Sequence, residues 1–591
     1  MLYTGGRNND AAPLETVDAD PLEVEKLLNR FDEKGKKRQI SDETDSNEKP
    51  DWKKVKADRK ELKVKHKVNS AGSTEKYELG VRAKKIWEEL RERKCTKARK
   101  QELCKELLPL VRGKVKMLID AHDTVRVIET LLAVGGEEHR TPIFEEIKDS
   151  LVSMSKRKYS RHFVVKILKY GNKDQKKFAI KSLKGQVVKL MSHKIACEVV
   201  ELAYNDYANA SQRSMMVQEF YGPQFRLFHE EDIKCLDDVL KKYPEKKEII
   251  LKDLHRALQP IITKGVFTNT MVHTLIRDFL IHSSTGDRTA IIESLRENLV
   301  PIIHTRDGAR VAMLCLWHGT GKDRKVIIKS LRTHMVKTAK EEHGHMVLLA
   351  AFDCVDDTVF LKKVVLAELF EEIDELVGSD YGLRVLRYLV APRSPTFFHP
   401  CILSVLAQGD GNEHSLKDTN IRQRELQEYS SMHILRLLMS NITDWAVNPN
   451  WTLFIGAAVK TLDSRERDSI FYKLAEMLGE PYTAGTGHTL EVGHTNKMLT
   501  YIIKCDPERD QAGKATLCSI ILKVVKEEEI VGWVASNRGC FLLANMIETG
   551  LDGVSLNLKK LLAPNKEKLG NFDFKGAEVL LKHLECSEEQ K

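Results

Sequence analysis

The sequence predicts an all-α fold, an α-solenoid, and three observations carry that prediction. Helix breakers are sparse, with 16 prolines among 591 residues. Apolar residues recur three and four positions apart, the spacing that puts them on one face of a helix. A short apolar unit also returns every 35 to 39 residues. A unit of that length cannot bury its apolar face alone, so neighbours must stack.

Residues 1–75 read as a basic, disordered tail. Asp10–Phe31 is compatible with a short amphipathic helix around Val24, Leu27 and Leu28. Basic clusters follow at Lys34–Arg38, Lys53–Lys56 and Lys63–Lys67, separated by an acidic Ser/Thr patch, Ser41–Glu48. High charge and few aromatics argue against an independent core. Clusters of this kind read as nuclear and nucleolar import signals, so a nuclear, nucleolar location is expected.

From residue 76 the pattern is helical. Anchor valines stand at 127, 164, 199, 272, 311, 347 and 385, at steps of 37, 35, 73, 39, 36 and 38 residues. Four positions after each come Leu131, Leu168, Ala203, Ile276, Cys315, Ala351 and Leu389, all apolar. The step of 73 leaves room for a degenerate unit around Phe220–Tyr243. After Ala391-Pro392-Arg393 the period blurs through a loop at Gln408–His414 and a charged helix at Asp418–Tyr429. Helical stripes return at Met432–Leu438, Trp451–Ala458 and Asn537–Met546.

The residues before the anchors narrow the fold further. They include Tyr159-Ser-Arg-His-Phe-Val164, Asp307-Gly-Ala-Arg-Val311 and Asp380-Tyr-Gly-Leu-Arg-Val385. This resembles the core of the Pumilio (PUF) repeat, a three-helix unit. The strings His304–Met313, Leu316–Lys325, Ala350–Cys354 and Gln408–Asn412 are similar to the divergent nucleolar Puf-A-type branch of that family. The resemblance implies about eleven repeats in an L-shaped body. Residues 76–395 would form the N-terminal repeats and 396–591 a C-terminal helical extension. It also implies a non-catalytic protein that binds RNA, and DNA as an alternative, in ribosome biogenesis. Its partners would then be pre-ribosomal RNA and proteins of pre-ribosomal particles, with mRNA as a second RNA class.

Charge points to where nucleic acid would bind. The net charge is only +9, yet residues 52–116 carry +13 and residues 153–194 carry +12, leaving −16 elsewhere. Within the second block Lys156, Arg157, Lys158, Arg161, Lys166, Lys169 and Lys173 are placed to track a phosphate backbone, with His162 or Phe163 to stack on a base. Arg126, Arg310 and Arg384, each just before an anchor, are candidates for stacking or for pairing with acids on adjacent repeats.

In sequence-reading members of the family, side chains two before and two after the anchor read a base edge and the residue one before it stacks. Here the edge positions include Val125, Met313, Leu349 and Leu383, which cannot hydrogen-bond a base. Only Cys197 with Glu201 comes near a matched pair. Contacts to phosphate without base readout position a strand but carry no sequence information. Weakly selective, salt-dependent binding is therefore expected. The alternatives are a sequence-specific mRNA-binding translational repressor and an armadillo/HEAT-like protein-binding scaffold.

Other classes lack their signatures. No apolar run reaches the roughly 18–20 residues of a membrane span, and no secretory leader is visible, so no membrane association is expected. Eleven cysteines without a CxxC pair read as reduced thiols. Gly319-Thr-Gly-Lys322 fails the phosphate-loop spacing and reads as a capped turn between helices. His343-Gly-His345 has no third ligand nearby. Trp317, Trp445, Trp451 and Trp533 are expected in cores between repeats. No catalytic residue, cofactor or metal is expected, and the chain is expected to be a monomer.

Overall fold

The computed structural model describes residues 71–463, 466–483, 485 and 487–585. The tail features named above, from Asp10–Phe31 to Lys63–Lys67, lie outside the described residues. Every regular element within them is helical. The described residues from Leu79 onward form one unit.

One row of helices repeats along this unit. It consists of α1 (His122–Val134), α2 (Arg161–Tyr170), α3 (Ala196–Leu202), α4 (Thr270–His282), α5 (Arg306–His318), α6 (Gly344–Cys354) and α7 (Asp380–Val390). It continues through α8 (Pro449–Thr461), α9 (Gly493–Ile503), α10 (Asn537–Glu548) and α11 (Lys575–Glu585). Apart from α3 and α4, each packs on the next, and the wide step from α3 to α4 is bridged by Glu201, which accepts from the Thr270 backbone N–H at 2.7 Å. The row crosses residue 395 without a break, because α7 packs on both α8 and the long helix Thr419–Trp445.

Polar caps fix where each row helix stops and the next begins. Gly135, Gly171 and Gly319 follow α1, α2 and α5. Asn172, Asn209, Ser284 and Thr320 then accept from the backbone N–H three residues on, and open the second helix of their repeats. At Asn172 the cap is reciprocal, with Gln175 N–H donating to Asn172 Oδ1 at 2.9 Å and Asn172 N–H to Gln175 Oε1 at 3.1 Å. The turn at Gly319–Lys322 is of this kind, with Thr320 as its cap.

These caps correct the register that the valines only approximated. The buried residue eight before the residue that closes α1, α2, α4, α5 and α6 is Val127, Phe163, Leu275, Val311 and Val347 in turn, and at α7 the same count falls on Leu383. Val199 stands nine before Ala208 because a π-helical turn, Ala203–Tyr207, inserts one residue. The equivalent positions are thus spaced 36, 36, 76, 36 and 36 residues. Val164 and Val272 are buried too, so apolarity alone could not choose between them and Phe163 or Leu275. Only the caps do.

Two ionic clamps hold neighbouring repeats in that register. Arg140 Nε donates to the Leu132 carbonyl at 2.7 Å and its Nη1 to the Tyr170 carbonyl of the next repeat at 2.8 Å. Arg324 repeats the device, reaching the Leu316 carbonyl at 2.7 Å and the Cys354 carbonyl at 2.5 Å. One guanidinium therefore caps the carbonyl ends of two row helices, where the helix dipole favours a cation. The complementary clamp is a carboxylate. Glu146 accepts from the Gly113 and Val115 N–H groups at 2.7 and 2.8 Å, and Glu368 from Thr333 and Met335 at 3.0 and 2.9 Å. Glu219 does the same for Gly185 and Val187.

The segment after α7 folds back onto the row. Arg393 ties it down through Asp353 (2.8 Å) and Asp410 (2.6 Å). Gly409 lies flat on Trp317, so close that a Cβ there would overlap the indole Nε1. Arg324 Nη2 donates to Asn412 Oδ1 at 2.6 Å. Asp418 then caps Thr419–Trp445, so the charged helix and the separate stripe expected from the sequence are one helix of 27 residues. Trp317 and Trp533 are buried as expected, whereas Trp445 and Trp451 stack on each other at 3.7 Å and stay half-buried.

Burial pushes the Glu219 carboxyl up to about 7 against the pull of its two N–H donors. A carboxyl raised on folding stabilises most below its unfolded value near 4.3, and that contribution fades as pH rises through 7. Glu219→Gln should therefore remove a decline in stability between pH 5 and 7 that the unmodified protein shows, worth up to about 3 kcal/mol. Denaturant titrations at pH 5, 6 and 7 check this. Parallel pH profiles of the two proteins would refute the assignment.

Candidate nucleic-acid interface

The basic block folds so that part of it becomes a stripe. His162, Lys166 and Lys169 step by four and three residues and so share one face of α2, while Lys158 lies in the turn before α2 and Lys173 opens the helix after it. All are exposed except Lys166, which is half-buried. Tyrosines line the same strip: Lys166 and Lys169 Nζ lie 5.6 and 5.5 Å from the Tyr170 ring centre, and Lys158 5.5 Å from Tyr159. Among the described residues none of these lysines, nor Lys156, is ion-paired. They present ammonium groups steadied by aromatic faces and free to meet phosphate.

Three of the expected site residues have other roles. Phe163 is fully buried, occupying the anchor position of its repeat, and offers no ring face to a base. His162, one residue earlier, is the exposed ring at the stacking position. Arg157 pairs with Asp120 at 2.6 Å and Arg161 with Glu198 at 2.5 Å. The block that holds one acid in sequence thus acquires two more from adjacent repeats, each about 37 residues away along the chain. Exposed pairs of this kind contribute only about 0–1 kcal/mol, so phosphate competes for them, but the arginines are not free cations.

Flanking helices bound the stripe. On α1, Arg126 is exposed and without an ion pair among the described residues. Glu129, facing His162 and Lys166, has its carboxyl raised by burial in spite of those cations. On α3 the equivalent surface carries Glu198 and Glu201, and Glu201 is committed to Thr270.

Several base-edge positions along this row are closed to a base. Val125, Ala309, Met313, Leu349 and Leu383 are buried, and so is Cys197, whose Sγ donates to the Lys194 carbonyl at 3.4 Å. The pair Cys197 and Glu201 is therefore closed to a base. On α5 the cause is the folded-back segment: Ile402 and Val405 face Met313, and Gln408 Oε1 accepts from Arg310 Nη1 at 3.4 Å. Arg310 and Arg384 are half-buried, and Arg384 lies 5.1 Å over the Tyr381 ring. Among the described residues neither pairs with an acid on an adjacent repeat.

The folded-back segment and the acids Asp120 and Glu198 escape a reading of the sequence alone. Only the 36-residue equivalence could have pointed to Asp120, which precedes Arg157 by one repeat.

Comparison with known proteins places this architecture. The chain is 37% identical over 576 residues to Pumilio homolog 3 of Rattus norvegicus, covering 95% of this chain and 88% of the relative. It is 36% identical over 580 residues to Pumilio homolog 3 of Homo sapiens, at 96% and 88% coverage. The chain belongs to the Pumilio homolog 3 family. Residues 378–514 match the CPL (NUC119) domain, which runs from α7 through α9. The crystal structure of human Puf-A superposes with a TM-score of 0.74 at 36% identity, covering 86% of this chain and all of that one. Human Puf-A has also been solved in complex with DNA, with the same score and identity.

Gly409→Ala should lift the folded-back segment from α5. Hydrogen exchange of residues 400–414 should accelerate while α2 stays protected. Unchanged exchange at 400–414 would show that the close approach to Trp317 does not hold it.

Proposed function

We propose that the protein binds single-stranded or structured nucleic acid through the α2 stripe, with little sequence specificity. The observation that carries this reading is the row of unpaired lysines at Lys158, Lys166, Lys169 and Lys173, interleaved with Tyr159, Tyr170 and His162. Ammonium groups contact phosphate irrespective of base, and an exposed imidazole stacks on any unpaired base. The buried edge positions argue against base-by-base readout and hence against a sequence-specific repressor. The DNA complex of human Puf-A supports nucleic acid as the ligand class. RNA is the ligand proposed here, with DNA bound through the same phosphate contacts.

The wider role follows from the family resemblance: a non-catalytic factor in ribosome biogenesis, acting on pre-ribosomal RNA in the nucleolus as a monomer. Acidic surfaces elsewhere would meet proteins of the pre-ribosomal particle. The basic clusters between Lys34 and Lys67 would supply the nuclear address.

Replacing Lys158, Lys166, Lys169 and Lys173 by Glu should weaken binding to a mixed-sequence single strand at least tenfold at low salt. The slope of log affinity against log salt should also flatten, by about 0.7 for each phosphate the variant no longer touches. Filter binding across 50–300 mM salt reads both, and an unchanged slope would reject the site. Deleting residues 1–70 should abolish nuclear enrichment of a fluorescent fusion; full retention in the nucleus would place the address elsewhere.

A further inference from the structure

The turn that begins the folded-back segment is held by one cation. Arg393 Nη1 donates to Asp410 Oδ2 at 2.6 Å, while its Nε and Nη2 donate to Asp353 Oδ2 at 3.0 and 2.8 Å. Among the described residues it is the only cation paired with either carboxylate. One guanidinium thus ties α6 to the loop that seats Gly409 on Trp317. The two pairs differ in burial. The Asp353 carboxyl is 9% exposed and also accepts from Tyr388 Oη at 2.6 Å, whereas Asp410 is 55% exposed, so the Asp410 pair is the weaker. Arg393 itself stands at φ +54°, in the left-handed region that a residue with a Cβ disfavours. Such a conformation persists only while its surroundings hold it.

The next residues are Ser394-Pro395, one of two Ser/Thr-Pro steps in the chain. The other, Thr141-Pro142, lies inside the helix Glu137–Ile147. Ser394 instead sits in a turn between the Arg393 clamp and Phe398, whose buried ring packs edge-on against Tyr388 at 5.3 Å. Pro395 and Thr396 are exposed and Ser394 is half-exposed. Among the described residues the Ser394 hydroxyl makes one hydrogen bond, accepting from the Thr396 N–H at 3.4 Å, so its own proton is uncommitted. Proline disfavours helical backbone at the residue before it. A proline-directed kinase takes its acceptor in that non-helical form, with the hydroxyl free.

We propose that Ser394 is phosphorylated by a proline-directed kinase, and that the phosphate draws Arg393 from Asp410 and releases the loop Ala407–Asp410 from α5. In the transfer, Ser394 Oγ forms a bond to the γ-phosphorus of ATP as the bond to the β-phosphate oxygen breaks. ADP leaves, and the hydroxyl proton passes to a base of the kinase. A phosphoserine carries about −1.5 to −2 charges at neutral pH and three acceptor oxygens. One guanidinium then faces two carboxylates and a phosphate. The phosphate on the neighbouring residue outcompetes the exposed Asp410, while buried Asp353 keeps Tyr388. Release takes Gly409 off Trp317 and uncovers the inner face of α5, so a single modification decides whether that face is covered. The device uses no residue of the α2 stripe and does not depend on what the stripe binds.

Incubation of the full chain with a cyclin-dependent kinase and Mg-ATP, followed by peptide mapping and hydrogen exchange, tests this. Phosphate should appear on Ser394, and exchange of residues 400–414 should then accelerate about fivefold or more while α2 is unchanged. Ser394→Ala, treated in the same way, should keep the slow exchange. Asp410→Asn without phosphate should accelerate the same residues, and phosphorylation of that variant should add little, because the pair is already broken. Asp410 is exposed, so this substitution spares the core. No phosphate on Ser394 of the folded chain, or phosphate there with unchanged exchange at 400–414, overturns the proposal. A full further acceleration on top of Asp410→Asn overturns the route through Arg393.

Discussion

A single guanidinium that caps two helices at once is the interaction on which the rest of this architecture depends. Arg140 and Arg324 each close the carbonyl end of their own row helix and of the next one. Hydrophobic burial drives the helices together but says little about how far one slides along its neighbour. The clamps supply that register, with Glu146, Glu219 and Glu368 doing the same at backbone N–H groups. Arg324 is almost wholly buried and, among the described residues, hydrogen-bonds carbonyls, Ser415 and Asn412 and no carboxylate. Carbonyl dipoles at helix ends replace one, and burial still lowers its pKa. Register matters at the site because it brings Asp120 and Glu198 from adjacent repeats onto Arg157 and Arg161 beside the α2 stripe.

Most of the fold was legible in the sequence, because each repeat places apolar residues at the same helical spacing. Val127, Val311, Val347 and Val385 are buried where their periodicity puts them. What periodicity could not resolve was a shift of one residue at Val164 or of three at Val272, since the neighbours on both sides are also apolar. The deciding signal was polar and local: a glycine at the helix end, then an Asn, Ser or Thr cap with Gln or Asp three residues later. The cap is present in the sequence at Asn172, Asn209, Ser284 and Thr320, at steps of 37, 75 and 36 residues, with the glycine before it at Asn172 and Thr320.

The site was less legible than the fold. Composition marks out the basic block, within which His162, Lys166 and Lys169 share a face of α2. Composition could not show that Asp120 and Glu198 reach in from adjacent repeats, because those pairs exist only after stacking. Phe163 looks like a base stacker until the register that buries it is known. The folded-back segment is the largest omission. Its Gln408–Asn412 loop reads as a connector, yet Gly409 is there because only a residue without Cβ can lie against Trp317, and this close approach shuts α5 off from a strand.

The central claim is that the α2 stripe is the nucleic-acid surface. Lysine acetylation footprinting of the full chain, with and without a mixed-sequence single-stranded RNA, tests it most directly. Lys158, Lys166, Lys169 and Lys173 should be protected, with Lys460, Lys497 and Lys523 on later helices unchanged. Protection confined to the later lysines, with the α2 stripe modified at its free rate, would contradict it.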